Sequence, residues 1–255
     1  MPGKSADIDR LKHAWDLAGK DDPFWSVLSV REKKENGWDA QEFMQTGVDE
    51  INQVMSHLRA LDVDVLRRRA LDFGCGPGRL TQALAAHFEQ VDGVDISASM
   101  ITLAERLNQR LDHCRYHVND TDDLRRFADQ TFDLVYSSIT LQHVGPANAR
   151  SYLKEFIRVL VPGGLLVFQL PGRHTGRLRW LNSFAPAPVL AAYRRLRYHG
   201  HPAASMHGIP REEVVRFCET NGVTIIDVEA NHQAGSGWES FRYYGRRVSS
   251  PASLA

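Results

Sequence analysis

The stretch ALDFGCGPGRL, residues 70–80, starts as a short apolar run and continues with glycines at alternate positions, Gly74, Gly76 and Gly78. An apolar run of this length before glycines is typical of a buried strand, and a helical pattern begins at Leu80, so the stretch predicts strand, loop and helix. Glycines without side chains let backbone amides approach a ligand at the helix N-terminus. We therefore expect either a nucleotide-like cofactor on this loop or a tight turn without a ligand.

Short apolar runs alternate with helical patterns from Arg69 onward, which is typical of βαβ units and a parallel sheet. The short interval between the last two runs predicts an antiparallel return. The fold class is therefore α/β, a doubly wound Rossmann-like sheet of seven strands, mostly parallel with an antiparallel last strand. The predicted strands are 70–73, 91–95, 115–118, 132–137, 165–170, 223–228 and 239–246.

Helices are predicted between these strands, and further segments are added to the sheet. Residues 1–65 predict an N-terminal cap of two or three helices, and 66–248 form the sheet domain with a lid-like insertion at 171–208. Residues 249–255 predict a disordered tail. Within the sheet domain the predicted helices are 80–88, 98–111 with Ser97 as its N-cap, 146–159 and 210–221, and Pro162-Gly163-Gly164 predicts a turn before the fifth strand.

Composition excludes several classes of protein. Thirty-one basic residues balance thirty-one acidic ones, so the chain as a whole shows no preference for a polyanion. The 3 cysteines form no CxxC pair, which argues against a disulfide framework and a structural zinc site, and histidines and carboxylates lack metal-ligand spacing. No apolar stretch approaches the roughly 18 residues of a membrane span. We expect a cytoplasmic protein without a metal.

An acidic residue, Asp95, ends the second predicted strand about 20 residues after the glycines, where a carboxylate can bind both hydroxyls of an adenosine ribose. Asp95 can instead cap the next helix, whose N-terminus also holds Ser97. The dinucleotide fingerprint G-x-G-x-x-G requires glycine at 79, where this chain has Arg79. We interpret Arg79 as a helix-surface residue paired with an acid, with a cofactor carboxylate as the alternative partner.

Five motifs in order carry a resemblance to a known family: LDFGCGPGRL, GVDIS, HVNDTDDL, FDLVYSSITLQHV and RVLVPGGLLVF. They resemble the motifs of class I S-adenosylmethionine-dependent methyltransferases, in the small-molecule branch of type 11 and type 25. The resemblance covers Arg69 to Leu170 strongly and the last two strands more loosely. It implies S-adenosylmethionine as the cofactor and S-adenosylhomocysteine as the product.

The resemblance also implies roles for individual residues. It places Asp72 and the loop of Gly74, Gly76 and Gly78 at the methionine part of the cofactor, and Asp95 on the ribose. The remaining residues implied at this site are Ile96 and Met100 near the adenine, Asp120 on the adenine amino group with Thr121 beside it, and Ser137 and Ser138 at the methionyl end. Met100 has an alternative role as an ordinary core residue.

Methyl transfer from a sulfonium requires mainly alignment in a dry pocket, and a hydroxyl acceptor also benefits from a general base. His143, directly after the fourth strand, is the candidate base, with packing under the cofactor as the alternative. Trp25, in the aromatic-rich cap, is a candidate acceptor contact, with anchoring of the cap helices to the sheet as the alternative. His207, before the last helix, is a second candidate base or acceptor contact, with a surface position as the alternative. The motifs of DNA-methylating enzymes are missing from the sequence, so we do not expect DNA as a substrate.

Residues 173–198 are rich in arginine and aromatic side chains. Such a segment predicts an anionic or lipid-linked acceptor, peripheral contact with an anionic membrane, or only a solvated face. The favoured function is methyl transfer to a small molecule, natural product, glycan or lipid-type acceptor, with oxygen slightly preferred. The alternatives are a non-catalytic adenosyl-ligand-binding protein and a nicotinamide-dependent oxidoreductase.

Overall fold

The computed structural model describes residues 3–175, 206–235 and 237–249. Its sheet has the strand order β3-β2-β1-β4-β5-β7-β6, with β7 antiparallel to β5 and β6 and the other neighbours parallel. This confirms the predicted Rossmann-like sheet and its antiparallel last strand. The strands are β1 (Arg69–Phe73), β2 (Gln90–Asp95), β3 (Cys114–Val118), β4 (Phe132–Ser137), β5 (Leu160–His174), β6 (Val223–Asn231) and β7 (Trp238–Arg247).

Helices cover both faces of the sheet, and several begin where a side chain caps them. Asp22, Asp39 and Ser97 accept hydrogen bonds from backbone N–H groups at the first turns of the second, third and fifth helices. The helices of the described residues are α1 (Gly3–Asp21), α2 (Pro23–Val27), α3 (Ala40–Ala60), α4 (Arg79–Leu84), α5 (Ala98–Leu107), α6 (Pro146–Val159) and α7 (Arg211–Thr220), with short 3₁₀ turns at Arg31–Lys33 and Leu141–His143.

Two hydrophobic layers lie on opposite faces of the sheet. On one face α6 and α7 pack through Phe156 and Val214 against strand residues such as Tyr243. On the other face α3 and α4 pack through Ile51 and Leu84 against a second set of strand residues. Because β4 is buried at every position, it lies at the centre of both layers, as a parallel strand with covered faces requires.

Several predicted element boundaries need correction, among them the end of β6, which runs to Asn231 and not to Val228. The Pro162-Gly163-Gly164 stretch does not separate α6 from β5, because β5 already begins at Leu160, and the pairing of β4 with β5 shifts register beside this stretch. It is therefore an irregularity inside the strand, with Gly163 at φ 79°. Helix α4 ends at Leu84, and α5 ends at Leu107 because the Asn108 side chain accepts the N–H of Arg110.

Two predictions fall partly outside the described residues. Most of the lid-like insertion, between 176 and 205, and the tail after 249 are among the residues that are not described. Of the insertion, 171–174 continue β5, and Ile209 N–H donates to Pro171 O as the chain returns. Within the described ranges, no helix combines the length and apolar character that a bilayer span requires.

Candidate functional site

The carboxyl ends of β1, β2 and β4 open into a cavity of about 740 Å³, counted with its mouth. Ligands of open α/β sheets bind at this edge. Six of the sequence-predicted site residues line the cavity: Gly74, Gly76, Asp95, Ile96, Met100 and His143. The other lining residues are Leu11, Trp15, Val27, Phe73, Val94, Asn119, Ile139, Thr140, Val144 and Tyr152.

The glycine loop is held against β2 and the loop after β4. The N–H groups of Gly74 and Cys75 both donate to Val94 O, at 2.8 and 3.0 Å. Gly74 has φ 76°, and a Cβ atom there would overlap the side chain of Thr140. Gly74 is therefore needed both for its left-handed backbone and for this close approach.

The Asp95 carboxylate lies at the end of β2 in the wall of the cavity and accepts two backbone hydrogen bonds. Its Oδ2 accepts from Gly76 N–H at 2.9 Å, and its Oδ1 accepts from Ser97 N–H at 2.8 Å. Burial raises the pKa of the carboxyl to about 6, against the effect of these donors. Each oxygen has more than one acceptor position, so Asp95 can cap α5 and still accept from a ligand.

Asp72 lies behind the glycine loop and not in the cavity wall. It is fully buried, and its Oδ2 accepts from the Thr81 hydroxyl at 2.7 Å, while Oδ1 has no hydrogen-bond partner among the described residues. Burial raises the pKa of the Asp72 carboxyl to about 7. Gly78 is likewise a packing position, because a Cβ there would lie 2.5 Å from the Tyr116 hydroxyl oxygen.

The Asp120 side chain is about half exposed (52%) and forms an ion pair with Lys12 at 2.8 Å, outside the cavity wall. The Thr121 hydroxyl donates to Asp123, and the Thr121 carbonyl accepts from the Tyr152 hydroxyl at 2.7 Å. The neighbouring Asn119 lines the cavity instead. The HVNDTDDL motif predicted a cofactor contact in the loop after β3, but Asn119, the residue before Asp120, is the one that lines the cavity.

Ser137 and Ser138 follow β4 but point away from the cavity. The Ser137 hydroxyl donates to Phe73 O at 3.0 Å, and the Ser138 hydroxyl donates to Glu50 Oε1 at 2.7 Å. Glu50 also pairs with Arg79 at 3.0 Å, and Arg79 is 3% exposed. The interpretation of Arg79 as a surface residue was therefore wrong, although its pairing with an acid was correct.

Helix α1 forms a roof over the cavity, which the sequence did not predict in this form. Leu11 and Trp15 line the cavity one helical turn apart, and the Trp15 ring meets the His143 ring edge-on with centroids 5.3 Å apart. Two polar contacts hold the helix in place. Lys12 forms its ion pair with Asp120, and Asp16 accepts a hydrogen bond from the Ser97 hydroxyl at 2.9 Å. The helical spacing of Leu11 and Trp15 was the signal available in the sequence.

The candidate acceptor contacts are separated. His143, on the 3₁₀ turn after β4, lines the cavity, and its Nε2 lies 3.2 Å from Nε2 of Gln142. His207 lies next to this turn, since its N–H donates to Gln142 O at 2.8 Å. Trp25 lies outside the cavity wall and donates its indole N–H to Val30 O at 2.9 Å. Within the described ranges, no group of three histidine, cysteine or carboxylate side chains is arranged to hold a metal.

The glycine loop, the carboxylate after β2 and the strand order together point to one family. Residues 71–168 match a family model described as a methyltransferase domain. This stretch is a class I S-adenosylmethionine-dependent methyltransferase domain. It runs from β1 into β5 and includes most of the cavity wall, whereas α1, α2 and the last two strands lie outside the matched residues.

Curated relatives of the methyltransferase domain include enzymes with different named substrates. Ubiquinone biosynthesis O-methyltransferase of Coxiella burnetii is 28% identical over 183 residues, which are 71% of this chain and 74% of that protein. Trans-aconitate 2-methyltransferase of Delftia acidovorans is 31% identical over 130 residues, 49% of this chain and 47% of that protein. Malonyl-[acyl-carrier protein] O-methyltransferase of Erwinia billingiae is 33% identical over 125 residues, 48% of this chain and 47% of that protein.

Solved structures show the same fold over a longer part of the chain. Magnesium protoporphyrin IX methyltransferase of Synechocystis with bound S-adenosylhomocysteine matches with TM-score 0.65 and 16% identity, covering 94% of this chain and 99% of that one. A methyltransferase of Methanosarcina mazei matches with TM-score 0.53 and 22% identity, covering 72% of this chain and 94% of that one. The fold likeness to the Synechocystis protein therefore extends beyond the matched domain.

Proposed function

We propose that the chain is an S-adenosylmethionine-dependent methyltransferase that acts on an oxygen atom of a small molecule. The observation that carries this proposal is the partly buried Asp95 carboxylate, which lies in the wall of a largely apolar cavity and accepts the Gly76 N–H of the glycine loop. A carboxylate and close-approaching backbone at this edge are the features that a nucleoside cofactor requires.

The residues of the cavity fit the parts of the cofactor. Asp95 would accept from the ribose hydroxyls, and Ile96, Met100 and Asn119 would surround the adenine. The backbone of Gly74 and Gly76 would lie along the methionine part. Asp72, Gly78, Ser137 and Ser138 support these contacts from behind the wall.

When bound, the cofactor supplies a methyl group that is already activated on a sulfonium, so the chain has mainly to bind, orient and exclude water. Leu11 and Trp15 of α1 line the cavity and add apolar wall to it. His143 and Val144 continue the wall from β4 toward the place where an acceptor would meet the methyl group. We propose His143 as the side chain of the described cavity wall that contacts the acceptor, and leave Trp25 and His207, which are not among the lining residues, out of this role.

Oxygen as the methylated atom is supported by the relatives of Coxiella burnetii and Erwinia billingiae, whose names state O-methyl transfer. A small-molecule acceptor suits the cavity better than a nucleic acid does. The described wall is largely apolar and contains no arginine or lysine that could bind phosphate groups. A membrane-associated or lipid-linked acceptor would depend on residues 173–198, most of which are not described.

The proposal is tested by incubating the purified protein with methyl-tritiated cofactor and fractionated metabolite extracts. We expect a labelled small molecule. Mild base should release the label if the product is a methyl ester and leave it in place if the product is a methyl ether. Thermal unfolding with S-adenosylhomocysteine and with NAD(H) is measured in parallel, and only the former should raise the melting temperature. Binding without any labelled product would favour a non-catalytic protein, and stabilisation by NAD(H) alone would contradict the cofactor.

A further inference from the structure

A chain of buried amide side chains leads from the end of β4 to His143. Ile139 N–H donates to Gln169 Oε1 at 3.0 Å, Gln169 Nε2 donates to Gln142 Oε1 at 3.3 Å, and Gln142 Nε2 lies 3.2 Å from His143 Nε2. Gln142 is 5% and Gln169 is 1% exposed. Water therefore competes little with these hydrogen bonds.

The backbone N–H of Ile139, which begins this series of hydrogen bonds, fixes which group donates and which accepts in each of them. A peptide N–H can only donate, so Gln169 presents its oxygen to Ile139 and its NH₂ group to Gln142. Gln142 must then present its oxygen to Gln169 and its own NH₂ group to His143. Reversing either amide would bring two donors or two acceptors together, so the network assigns the orientation of both.

A second branch of the network supports this orientation. The remaining hydrogen of the Gln169 amide is donated to Ser240 Oγ at 2.8 Å, and the Ser240 hydroxyl donates to Asn231 Oδ1 at 2.6 Å. Ile139 itself has φ 51°, a left-handed conformation that a β-branched residue rarely adopts. The anchored amides therefore hold the turn that carries His143 in place in spite of this strained backbone.

An imidazole that accepts a hydrogen bond at Nε2 carries its proton on Nδ1. We propose that Gln142 is a positioning residue that holds His143 in this tautomer with its Nε2 lone pair engaged, so that His143 does not remove a proton from the methyl acceptor and the site selects an acceptor oxygen that is already an anion. Protonation at Nε2 would set two N–H donors against each other. The network therefore disfavours the general-base role that the sequence suggested for His143.

The other two ionisable side chains of the described cavity wall have roles other than proton removal. Asp95 is assigned to the ribose hydroxyls, and the Tyr152 hydroxyl donates to Thr121 O. A carboxylic acid is already ionised in neutral solution and so needs no base, and the positive sulfonium of the bound cofactor would offset its charge in a wall without arginine or lysine. One of its oxygen lone pairs forms the new C–O bond as the S–CH₃ bond breaks, the bonding pair passes to sulfur, and a methyl ester and a neutral thioether result without proton transfer.

The acceptor part of this inference rests on the proposed function, whereas the tautomer does not, and the experiment separates them. Protein labelled with ¹⁵N-histidine is examined by long-range ¹H–¹⁵N correlation, with His143 assigned by a His143→Gln variant. We expect wild-type His143 to show a protonated Nδ1 and an unprotonated Nε2. In Gln142→Glu the Gln169 bond is kept, but an acceptor faces Nε2, so the proton should move to Nε2 and ring protonation should shift to higher pH.

Gln109→Glu is the matched control, because Gln109 is exposed and the charge change is the same; its His143 signals should remain those of the wild type. Gln142→Met, which has no donor, should give a mixture of tautomers and serves if the glutamate variant fails to fold. A wild-type ring protonated at Nε2, or identical His143 signals in wild type and Gln142→Glu, would overturn the tautomer assignment.

Methyl transfer to panels of carboxylic acids and phenols tests the acceptor class. Wild type should methylate carboxylic acids in preference. Gln142→Glu should raise the relative rate on phenols, because the His143 proton then lies on Nε2 and the lone pair left on Nδ1 can accept a proton. A wild-type preference for phenols would refute the anionic acceptor. Failure to bind S-adenosylhomocysteine or to transfer any methyl group would refute the proposed function and leave the NMR result standing.

Discussion

The Asp16 carboxylate accepts a hydrogen bond from the Ser97 hydroxyl at 2.9 Å, which joins the roof helix α1 to the N-cap of α5 beside the Asp95 carboxylate. Asp16 also accepts from Ser99 N–H at 3.3 Å. Its negative charge is one of the causes, after burial, of the raised pKa of Asp95. The same contact therefore closes the cavity and tunes the carboxylate that we assign to the ribose.

Removal of this contact should loosen the roof. In Asp16→Ala we expect S-adenosylhomocysteine to bind about tenfold more weakly, mainly through faster dissociation, because one charged hydrogen-bond acceptor for Ser97 is lost. Stopped-flow fluorescence and calorimetry measure the two quantities. Asp21→Ala, an exposed position at the end of the same helix, is the control, and equal affinities of both variants would show that the contact does not hold the roof.

Asp95 and Asp120 should differ sharply in their effect on cofactor binding. Asp95→Ala removes the carboxylate in the cavity wall, and we expect it to weaken S-adenosylhomocysteine binding by more than about tenfold. Asp120→Ala removes a half-exposed carboxylate that is paired with Lys12, so the change should be small. Isothermal calorimetry measures both dissociation constants. A larger loss of affinity in Asp120→Ala than in Asp95→Ala would show that Asp120 contacts the cofactor.

Glu50 should be important for stability, because it is buried between two guanidinium groups. Burial opposes ionisation, but Arg79 and Arg242 outweigh it and lower the pKa of Glu50 to about 2. Glu50→Gln leaves both arginines without their charged partner and should reduce the free energy of unfolding by about 3–5 kcal/mol, measured with urea. The exposed Glu32→Gln should change it by no more than about 0.5 kcal/mol.

The ligand-free protein should become more stable as the pH falls from neutral toward mildly acidic values. The pKa values of Asp72 and Asp95 are raised by burial from 3.8 to about 7 and about 6, so the folded state binds protons more tightly than the unfolded state in this range. Stability from these groups is lost as the pH rises through that window. Urea unfolding at several pH values should show a free energy of unfolding that decreases as the pH rises, and Asp72→Asn should make this dependence weaker. A free energy that increases with pH over this range would contradict the raised pKa values.

Gly74 should be less tolerant of alanine than a glycine with the same backbone conformation in open space. Gly74→Ala combines strain at positive φ with an overlap with Thr140, and we expect a loss of about 1–2 kcal/mol from strain and a further 1–3 kcal/mol, roughly, from overpacking. Gly222 has φ 83° and no described atom within 4 Å of the position that a Cβ would take, so Gly222→Ala reports the strain alone. Chemical denaturation measures the free energy of unfolding of both variants. Equal decreases would show that the Thr140 side chain moves aside without an energetic penalty.

The sheet and the edge that carries the cavity were predictable from sequence, because apolar runs, glycines and helix caps are local signals. The strand β4 was predicted at its observed bounds, 132–137, since it is apolar and ends in polar residues. The start of β5 was not, because the Pro162-Gly163-Gly164 stretch has the composition of a turn and only pairing with β4 places Leu160 in the sheet.

The contacts that complete the site depend on residues far apart in sequence. Arg79 is buried because Glu50, from the N-terminal cap, reaches it, and no local pattern indicates that pairing. Likewise, the choice between Asn119 and Asp120 depends on which side chain the end of β3 turns toward the cavity. Motif spacing predicted a contact in this loop, but only the packed structure determines which of its side chains faces the cavity.

Helix α1 spans both halves of the cavity, with Lys12 bound next to the proposed adenine side and Trp15 against His143 on the proposed acceptor side. A rigid helix that touches two subsites makes the occupancy of each felt by the other. We therefore expect release of product from one half and entry of a new molecule into the other to depend on each other through this helix, and the order of binding to change when its contacts are removed.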